Sequence, residues 1–286
     1  MTLKEFAVRS GLQEKTVMNL TLQRDRVDPE TACALENSTP LKAVEWLAIQ
    51  CTYDVQAAMR RCSEAVESDA AWASRFPTAE MQRLGWINDT ASVPEIVKEL
   101  YAFFGVSSSK GWADYYLNQL LRVDFRISLA SVENSHAVSA WLRMGHILAT
   151  ERPVSTIYTP KALRWVINEI INLLYDTRNP VRTDTISRLL AQAGVKFIVT
   201  TPLRSTPITG CTRFINDIPC IQIALEHDNL TPDHPAWITI FKGMGHILIH
   251  GKKDVFLENV LYDDFDAKKE REARDFALSY LSILRN

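Results

Sequence analysis

The sequence of 286 residues lacks the features that mark several specialised classes of protein. Its formal net charge is only −2, so bulk electrostatics give no case for binding nucleic acid. No apolar run approaches the roughly 20 residues that span a bilayer, and the N-terminus lacks the apolar core of a signal peptide. None of the five cysteines forms a C-x-x-C pair. We therefore expect buried thiols, a cytoplasmic location and no membrane partner.

Several catalytic signatures are also missing. The chain contains no G-x-S-x-G motif, phosphate-binding loop or dinucleotide fingerprint. Cys211 lies on a predicted strand with no His near it in sequence, so we interpret it as a buried thiol rather than a nucleophile. The 47% hydrophobic and 23% charged content is that of an ordinary folded chain, long enough for one large core or two to three smaller ones.

The beginning of the chain has the spacing of a helix-turn-helix. The positions that carry this spacing are Leu3, Ala7, Gly11 and Val17. A glycine suits the tight turn because that turn needs a backbone angle that other residues resist. The second helix is predicted to begin at Gln13, and its first turn would face the major groove in a DNA reader. The candidate DNA-binding residues are Gln13, Glu14, Lys15, Met18, Asn19 and Arg24. The alternative is a pair of amphipathic helices joined at a glycine, which occurs in many all-α proteins.

Two later segments carry a family resemblance. The runs Pro29-Glu-Thr-Ala-Cys-Ala-Leu-Glu36 and Trp46-Leu-Ala-Ile-Gln50 resemble the antitoxin-type helix-turn-helix regulators of the HigA group. The resemblance implies operator DNA as a partner, possible pairing with a toxin protein, and a homodimer that reads two half-sites. Such domains carry a further helix before the helix-turn-helix. Because Met1 directly precedes the first predicted helix, that additional helix is expected to be missing.

The middle of the chain is predicted to be a helical connecting region without a catalytic constellation. The predicted helices cover Leu41–Ser63, Val93–Phe104, Trp112–Val123 and Val132–Thr150. Gly105 is the expected end of the second of these helices. Short segments of this region resemble the connectors of long regulators that join such a helix-turn-helix to a peptidase-like domain.

The last part of the chain changes character. Helical patterns at Lys161–Tyr175 and Arg182–Ala193 precede β-branched runs, and further helices follow. The predicted strands are Val195–Thr200, Cys211–Ile215 and Ile218–Ala224. The predicted fold class is therefore α+β, mainly α. It comprises a helix-turn-helix bundle over 1–60, a helical region over 61–155, and a domain with a small sheet over 156–286.

One helical segment near the C-terminus carries the most specific pattern. It runs from Trp237 to Gly251, and its frame is similar to the F-x-x-H-E-x-G-H helix of zinc peptidases. Together with Glu270-Arg-Glu-Ala-Arg-Asp-Phe-Ala277, it resembles the ImmA/IrrE metallopeptidase family, which has a zincin-like fold. In that alignment His246 is the second zinc-binding His, and Glu272 corresponds to the third ligand.

The same alignment shows what the chain has lost. Lys242 stands in place of the first His, and Gly243 in place of the catalytic Glu. A catalytic zinc needs three protein ligands and an open position, a protonated Lys cannot coordinate metal, and Gly243 offers no base to activate water. We therefore expect no catalytic residue and no cofactor, with zinc bound only if His246 and Glu272 still form a working site.

Two arrangements could occupy this degenerate site. Lys242 is expected to form an ion pair with Glu272, which would fill the space left by the metal. Alternatively, His246 and His250, one turn apart on the same helix face, could bind a metal, although in the family the second of these His residues is not a ligand.

These observations favour a regulator over an enzyme. The leading interpretation is a DNA-binding transcriptional regulator or antitoxin-like protein whose inactive peptidase-like domain is used for sensing or partner binding. The first alternative is a zinc-dependent endopeptidase that cleaves a repressor or partner protein. The second alternative is a protein-interaction module without DNA binding.

Overall fold

The computed structural model describes residues 1–117, 134–175, 180–204, 206–259 and 264–282. The chain divides into two compact units, Met1–Ser68 and Asp69–Asn286. Helices dominate both units, and small sheets occur in the second. This confirms the predicted mainly-α, α+β class. Within the described ranges, no helix combines the length and apolar character needed to cross a membrane.

The first unit contains four helices in its described residues. They are α1 (Leu3–Ser10), α2 (Glu14–Thr21), α3 (Pro29–Glu36) and α4 (Ala43–Ser68). A reciprocal capping box between Thr2 and Glu5 starts α1, and Gly11 ends it with a φ of 73° that suits glycine. Asp28 caps α3 by accepting a hydrogen bond from the backbone N–H of Thr31. These local signals explain why short segments with modest apolar content form helices.

The second unit begins with short helices around an aromatic cluster. The helices are α5 (Ala70–Ala73), α6 (Thr78–Arg83), α7 (Val93–Phe104) and α8 (Ser109–Tyr116). Gly105 ends α7 with a φ of 68°, as the sequence predicts. The ring of Trp112 lies 5.5 Å from that of Phe76, edge to face, and 4.4 Å from the imidazole of His136, stacked. These rings make up much of the local core.

The remaining elements build a sheet covered on both sides. In chain order they are α9 (Ser135–Glu151), α10 (Pro160–Tyr175), β1 (Val181–Arg182), α11 (Thr183–Gln192), β2 (Lys196–Thr200), β3 (Gly210–Ile215), β4 (Ile218–Ala224), β5 (Asn229–Leu230), α12 (Ala236–Ile249), β6 (Phe256–Leu257) and α13 (Asp264–Leu281). The main sheet has the order β2-β4-β3-β6, with β2 parallel to β4 and the other pairs antiparallel. The short strands β1 and β5 form a separate antiparallel pair.

The two faces of β4 meet different partners. Ile221 and Ile223 face the main core, which they share with residues of α10, α11, α12 and α13. Cys220 belongs to a smaller cluster with Ala149 of α9 and Ile198 of β2. Because both faces are covered, β4 is a nearly continuous buried run rather than an alternating strand.

A buried polar network joins α9 to the sheet. The Gln222 side chain donates from Nε2 to the carbonyl of Trp141 at 2.8 Å, and Arg213 donates to the carbonyl of Leu142 at 2.8 Å. Gly145 makes this approach possible, because a Cβ there would lie 1.9 Å from Oε1 of Gln222. The sheet therefore holds α9 by hydrogen bonds as well as by apolar packing.

Most predicted elements have counterparts at nearly the predicted bounds. The strand Ile218–Ala224 is reproduced residue for residue, and the preceding turn places Asn216 and Asp217 at φ values of 51° and 64°. The part of the predicted helix Trp112–Val123 beyond residue 117 lies outside the described residues.

The division of the chain into two units falls after Ser68. The boundaries predicted at 60 and 155 stay predictions.

Candidate functional site

Helix α12 carries the side chains on which the candidate site is built. Lys242 and His246 lie four residues apart and therefore share one face of the helix. Both are nearly inaccessible to solvent, at 8% and 1% exposure. The helix ends where the sequence predicts, with Gly251 at a φ of 71° directly after His250.

Two glycines let α12 pack closely on both sides. A Cβ on Gly243 would lie 2.9 Å from Oγ1 of Thr212, and a Cβ on Gly245 would lie 2.9 Å from the ring of Phe276. The first contact is with the sheet and the second is with α13. The space beside Gly243, where the resemblance places a catalytic Glu, is therefore taken by the sheet.

Two carboxylates converge on the Lys242 ammonium group. Nζ donates to Oε2 of Glu258 at 2.6 Å, and it also contacts Oε1 of Glu270. Glu258 directly follows β6, and its backbone N–H donates to the carbonyl of Gly210 at 2.9 Å, which fixes it at the edge of the sheet. Glu270 comes from α13, so three separate elements meet at one buried cation.

His246 and His250 continue this polar cluster toward the surface. Their Nδ1 atoms lie 3.1 Å apart, and Nε2 of His250 lies 3.0 Å from Oε2 of Glu272. Because a carboxylate only accepts, Nε2 of His250 donates to Glu272. Nε2 of His246 lies 3.2 Å from Oε2 of Glu270, in an alignment too poor for a regular hydrogen bond. The ring of Phe256 stacks on His246 at 3.7 Å.

The surroundings of Lys242 favour its charged form. Burial lowers its pKa, but the charges and hydrogen bonds of Glu258 and Glu270 outweigh burial and raise the pKa above its ordinary value. For Glu270 burial raises the pKa of the carboxyl group, but interactions with His246 and Lys242 outweigh burial and bring that pKa below its ordinary value. Burial lowers the pKa of His246. The site therefore contains the Lys242 ammonium, the carboxylates of Glu258 and Glu270, and a neutral His246 imidazole near neutral pH.

The donor atoms resemble those of a zinc site, but the site already contains a cation. One ligand atom each from His246, Glu258 and Glu270 lie within 4.8 Å of one another, a spacing compatible with one metal ion. The Lys242 ammonium contacts both carboxylates, and a protonated Lys repels a divalent cation. The residues as they stand therefore do not fit a zinc ion.

The predicted ion pair between Lys242 and Glu272 is wrong. Lys242 contacts Glu258 and Glu270, whereas Glu272 contacts His250. The reason is the face of α13: Glu270 lies on the same stripe as the fully buried Ala273 and Ala277, and a residue two positions away points about 200° round the helix. The carboxylate beside His246 is accordingly Glu270, in place of the Glu272 that the resemblance suggests. The spacing of Glu270 from the two alanines is the sequence signal that would have identified it.

The candidate DNA-binding residues lie together on α2 and the turn after it. The exposed members of this group are Gln13, Glu14, Lys15, Met18 and Arg24. The Asn19 side chain is half-buried and donates to Asp25 at 2.8 Å, so it stabilises the turn that follows the helix. Val17 points inward and is buried. As predicted, Val17 is the inward anchor of α2 and the other candidates are exposed, except Asn19, which is half-buried.

Comparison of the chain with protein-family models, with curated proteins and with solved structures finds no match.

Proposed function

We propose that this chain is a DNA-binding regulator of the transcription-factor or antitoxin kind, with a peptidase-like second unit that does not hydrolyse peptides. The observation that carries the second half of the proposal is the contact of Lys242 with both Glu258 and Glu270. A cation supplied by the chain itself occupies the position that a catalytic metal would need. The unit then has a buried cluster of charges without hydrolytic chemistry, and we assign it to sensing or partner binding.

Metal-dependent hydrolysis needs an activated water and a base beside it. The side chain of Lys242 can supply neither, because it is charged and donates to both carboxylates. Gly243 has no side chain, and Oγ1 of Thr212 lies only 2.9 Å from the position that a Cβ would take. Loss of a general base alone lowers a rate by about 10²–10⁴, and this chain lacks the first His ligand as well.

The exposed face of α2 supports the DNA-binding half of the proposal. Lys15 is exposed in its first turn, and Gln13 is exposed directly before the helix, at the end of such a helix that enters the major groove. The first unit has eight Lys and Arg against ten Asp and Glu, so general attraction to DNA is weak. Binding would depend on a few specific contacts rather than on net charge.

A gel-shift experiment tests this half directly. The probe is the DNA upstream of the chain's own coding sequence, at low salt, where phosphate contacts are strongest. We expect a shift with the unmodified chain and a weaker one with Lys15→Ala. The matched control is Lys42→Ala, because Lys42 is also exposed but forms an ion pair with Glu36 at 3.1 Å, away from α2. If no shift occurs at low salt, the interpretation as an interaction module without DNA binding replaces this proposal.

The zinc endopeptidase is the second candidate, and the grouping of His246, Glu258 and Glu270 favours it. Metal analysis of the purified chain separates the two. Our proposal expects no stoichiometric zinc. One zinc per chain that is lost in His246→Ala would support the peptidase instead.

A further inference from the structure

The helix α4 has an exposed apolar face with the repeat of a coiled coil. We call it the heptad face, and it consists of Val44, Ala48, Cys51, Val55, Ala58, Cys62 and Ala65. Successive members are four and three residues apart, alternately, over three heptads. Ala58 is half-buried and the others are exposed, with Val44 at 76% and Val55 at 48% exposure. An average spacing of 3.5 residues is the repeat that keeps one seam of a helix against a partner helix.

The opposite side of α4 is the side that packs within the first unit. Trp46, Gln50 and Tyr53 face the cavity of about 430 Å³ between the helices of this unit. Each lies two residues from a member of the heptad face, which is about 200° round the helix. The unit therefore uses one side of α4 for its own core and leaves the heptad face without a partner inside the unit.

We propose that the heptad face binds the same face of a second copy of the chain, with the two α4 helices antiparallel. In the antiparallel register, Val55 packs against Ala58 of the second copy, and Cys51 lies in the same layer as Cys62 of the second copy. The small side chains allow the two helices to approach closely. This inference does not depend on the proposed function, because it concerns a surface that is separate from the face of α2.

Two charged residues beside the heptad face favour a second copy of the chain as the partner and an antiparallel orientation of the two helices. Asp54 and Arg61 flank the heptad face at equivalent positions of successive heptads. In an antiparallel pair, Asp54 of each copy lies opposite Arg61 of the other, so two complementary contacts form. A parallel pair would instead place Asp54 near Met59 and Arg61 near Val66 of the second copy, with no ion pair. Asp54 also contacts Arg26 of its own chain, so Arg61 of the second copy adds a second cation beside the same carboxylate.

The two cysteines of the face provide the test. Both are exposed free thiols, as is Cys33, so the expectation of buried thiols is wrong for these three cysteines and confirmed for Cys211 and Cys220. In a Cys33→Ser background we expect a short bis-maleimide to join two chains. It cannot join Cys51 to Cys62 within one chain, because these are about 16 Å apart along the helix. Cys51→Ala and Cys62→Ala should each lose the covalent dimer, and mixing the two variants should restore it. If each variant crosslinks by itself, the helices are parallel and the proposed orientation is overturned.

Sedimentation of the full chain without DNA tests the surface independently of crosslinking. We expect a dimer that Val55→Asp converts to a monomer, because this change buries two like charges, one from each copy, near the centre of the pair only when two copies meet. Gln56→Asp is the matched control, since Gln56 is exposed and adjacent but lies off the heptad face. Circular dichroism should be unchanged in both variants. A monomer at every concentration, or a dimer that survives Val55→Asp, would refute the proposal.

Discussion

Nζ of Lys242 lies 2.6 Å from Oε2 of Glu258, and the two side chains are only 10% and 13% exposed. A buried ion pair stabilises a fold little compared with well-packed apolar residues, because desolvation of both charges opposes their attraction. Breaking such a pair is a different matter, since it leaves an uncompensated charge in the interior. The cluster around Lys242 is therefore most sensitive to changes that remove one sign of charge.

Replacing the cation alone should destabilise the second unit strongly. We expect Lys242→Met to lower the free energy of unfolding by about 3–5 kcal/mol, because it leaves the carboxylates of Glu258 and Glu270 unpaired. Urea unfolding of the full chain measures the change. Lys252→Met is the matched control, because Lys252 forms an exposed pair with Asp217, and such pairs contribute little.

The triple change Lys242→Met, Glu258→Gln and Glu270→Gln should cost less than Lys242→Met alone. The two neutral amides replace the buried carboxylates that Lys242→Met leaves without a cation. If the triple variant is no more stable than the single variant, the loss comes from packing and not from unpaired carboxylates.

Replacing the same residue by an imidazole should create a metal site. Lys242→His removes the ammonium and places a possible ligand one turn before His246, near two carboxylates that already face each other. We expect this variant to bind one Co²⁺ or Zn²⁺ per chain, while the unmodified chain binds none under the same conditions. The absorption bands of tetrahedral Co²⁺ provide the measurement. Adding His246→Ala should abolish them, and bands that persist would show that the metal is elsewhere.

Gly243 should resist even a methyl group. Its Cβ would lie 2.9 Å from Thr212 and 3.1 Å from Ile221, so we expect Gly243→Ala to destabilise the fold by about 1–3 kcal/mol through overpacking. The comparison is Gly111→Ala in α8, where the nearest atoms are an ordinary 3.6 Å away. There the helical preference of Ala over Gly should dominate and leave stability equal or higher. A neutral Gly243→Ala would mean that α12 can shift away from the sheet.

Stability should fall as the pH is lowered from 6.5 toward 4, and His136 should contribute. Burial lowers the pKa of its imidazole from 6.5 to about 4, and the Arg75 charge acts in the same direction. The unfolded chain therefore binds a proton in this window that the folded chain excludes. The free energy of unfolding therefore decreases as the pH falls, by at most about 1.4 kcal/mol per pH unit for this one site. Stability from this source is complete above pH 6.5.

His136→Gln is the variant that checks this assignment. We expect a shallower fall of unfolding free energy between pH 6.5 and pH 4 than in the unmodified chain, measured by urea unfolding at several pH values. His246 should also reduce stability as the pH falls, because burial lowers its pKa too. Part of the pH dependence of the unfolding free energy should therefore remain in His136→Gln. An unchanged slope would show that His136 is protonated in the fold.

Much of the local structure could be read from the residues themselves. Helix α7 ends at Gly105, and α12 ends at Gly251, because a residue in the left-handed region closes a helix best when it is glycine. The turn at Asn216 and Asp217 fixes the β3–β4 hairpin for the same kind of local reason. That Lys242 and His246 share a face follows from helical periodicity alone.

The segments that contact this face of α12 could not be predicted from the sequence. Periodicity states which side of α12 Lys242 occupies, but not which distant segment lies opposite. The parallel pairing of β2 with β4, the approach of α13 through Gly245 and the anchoring of Glu258 at the edge of β3 together bring Glu258 and Glu270 to Lys242. The sequence alone determined that Lys242 and His246 share one face of a helix and that Gly243 has no side chain between them. Only the tertiary structure decided that two carboxylates from other elements surround Lys242, because such contacts are set by packing across the whole unit rather than by neighbours along the chain.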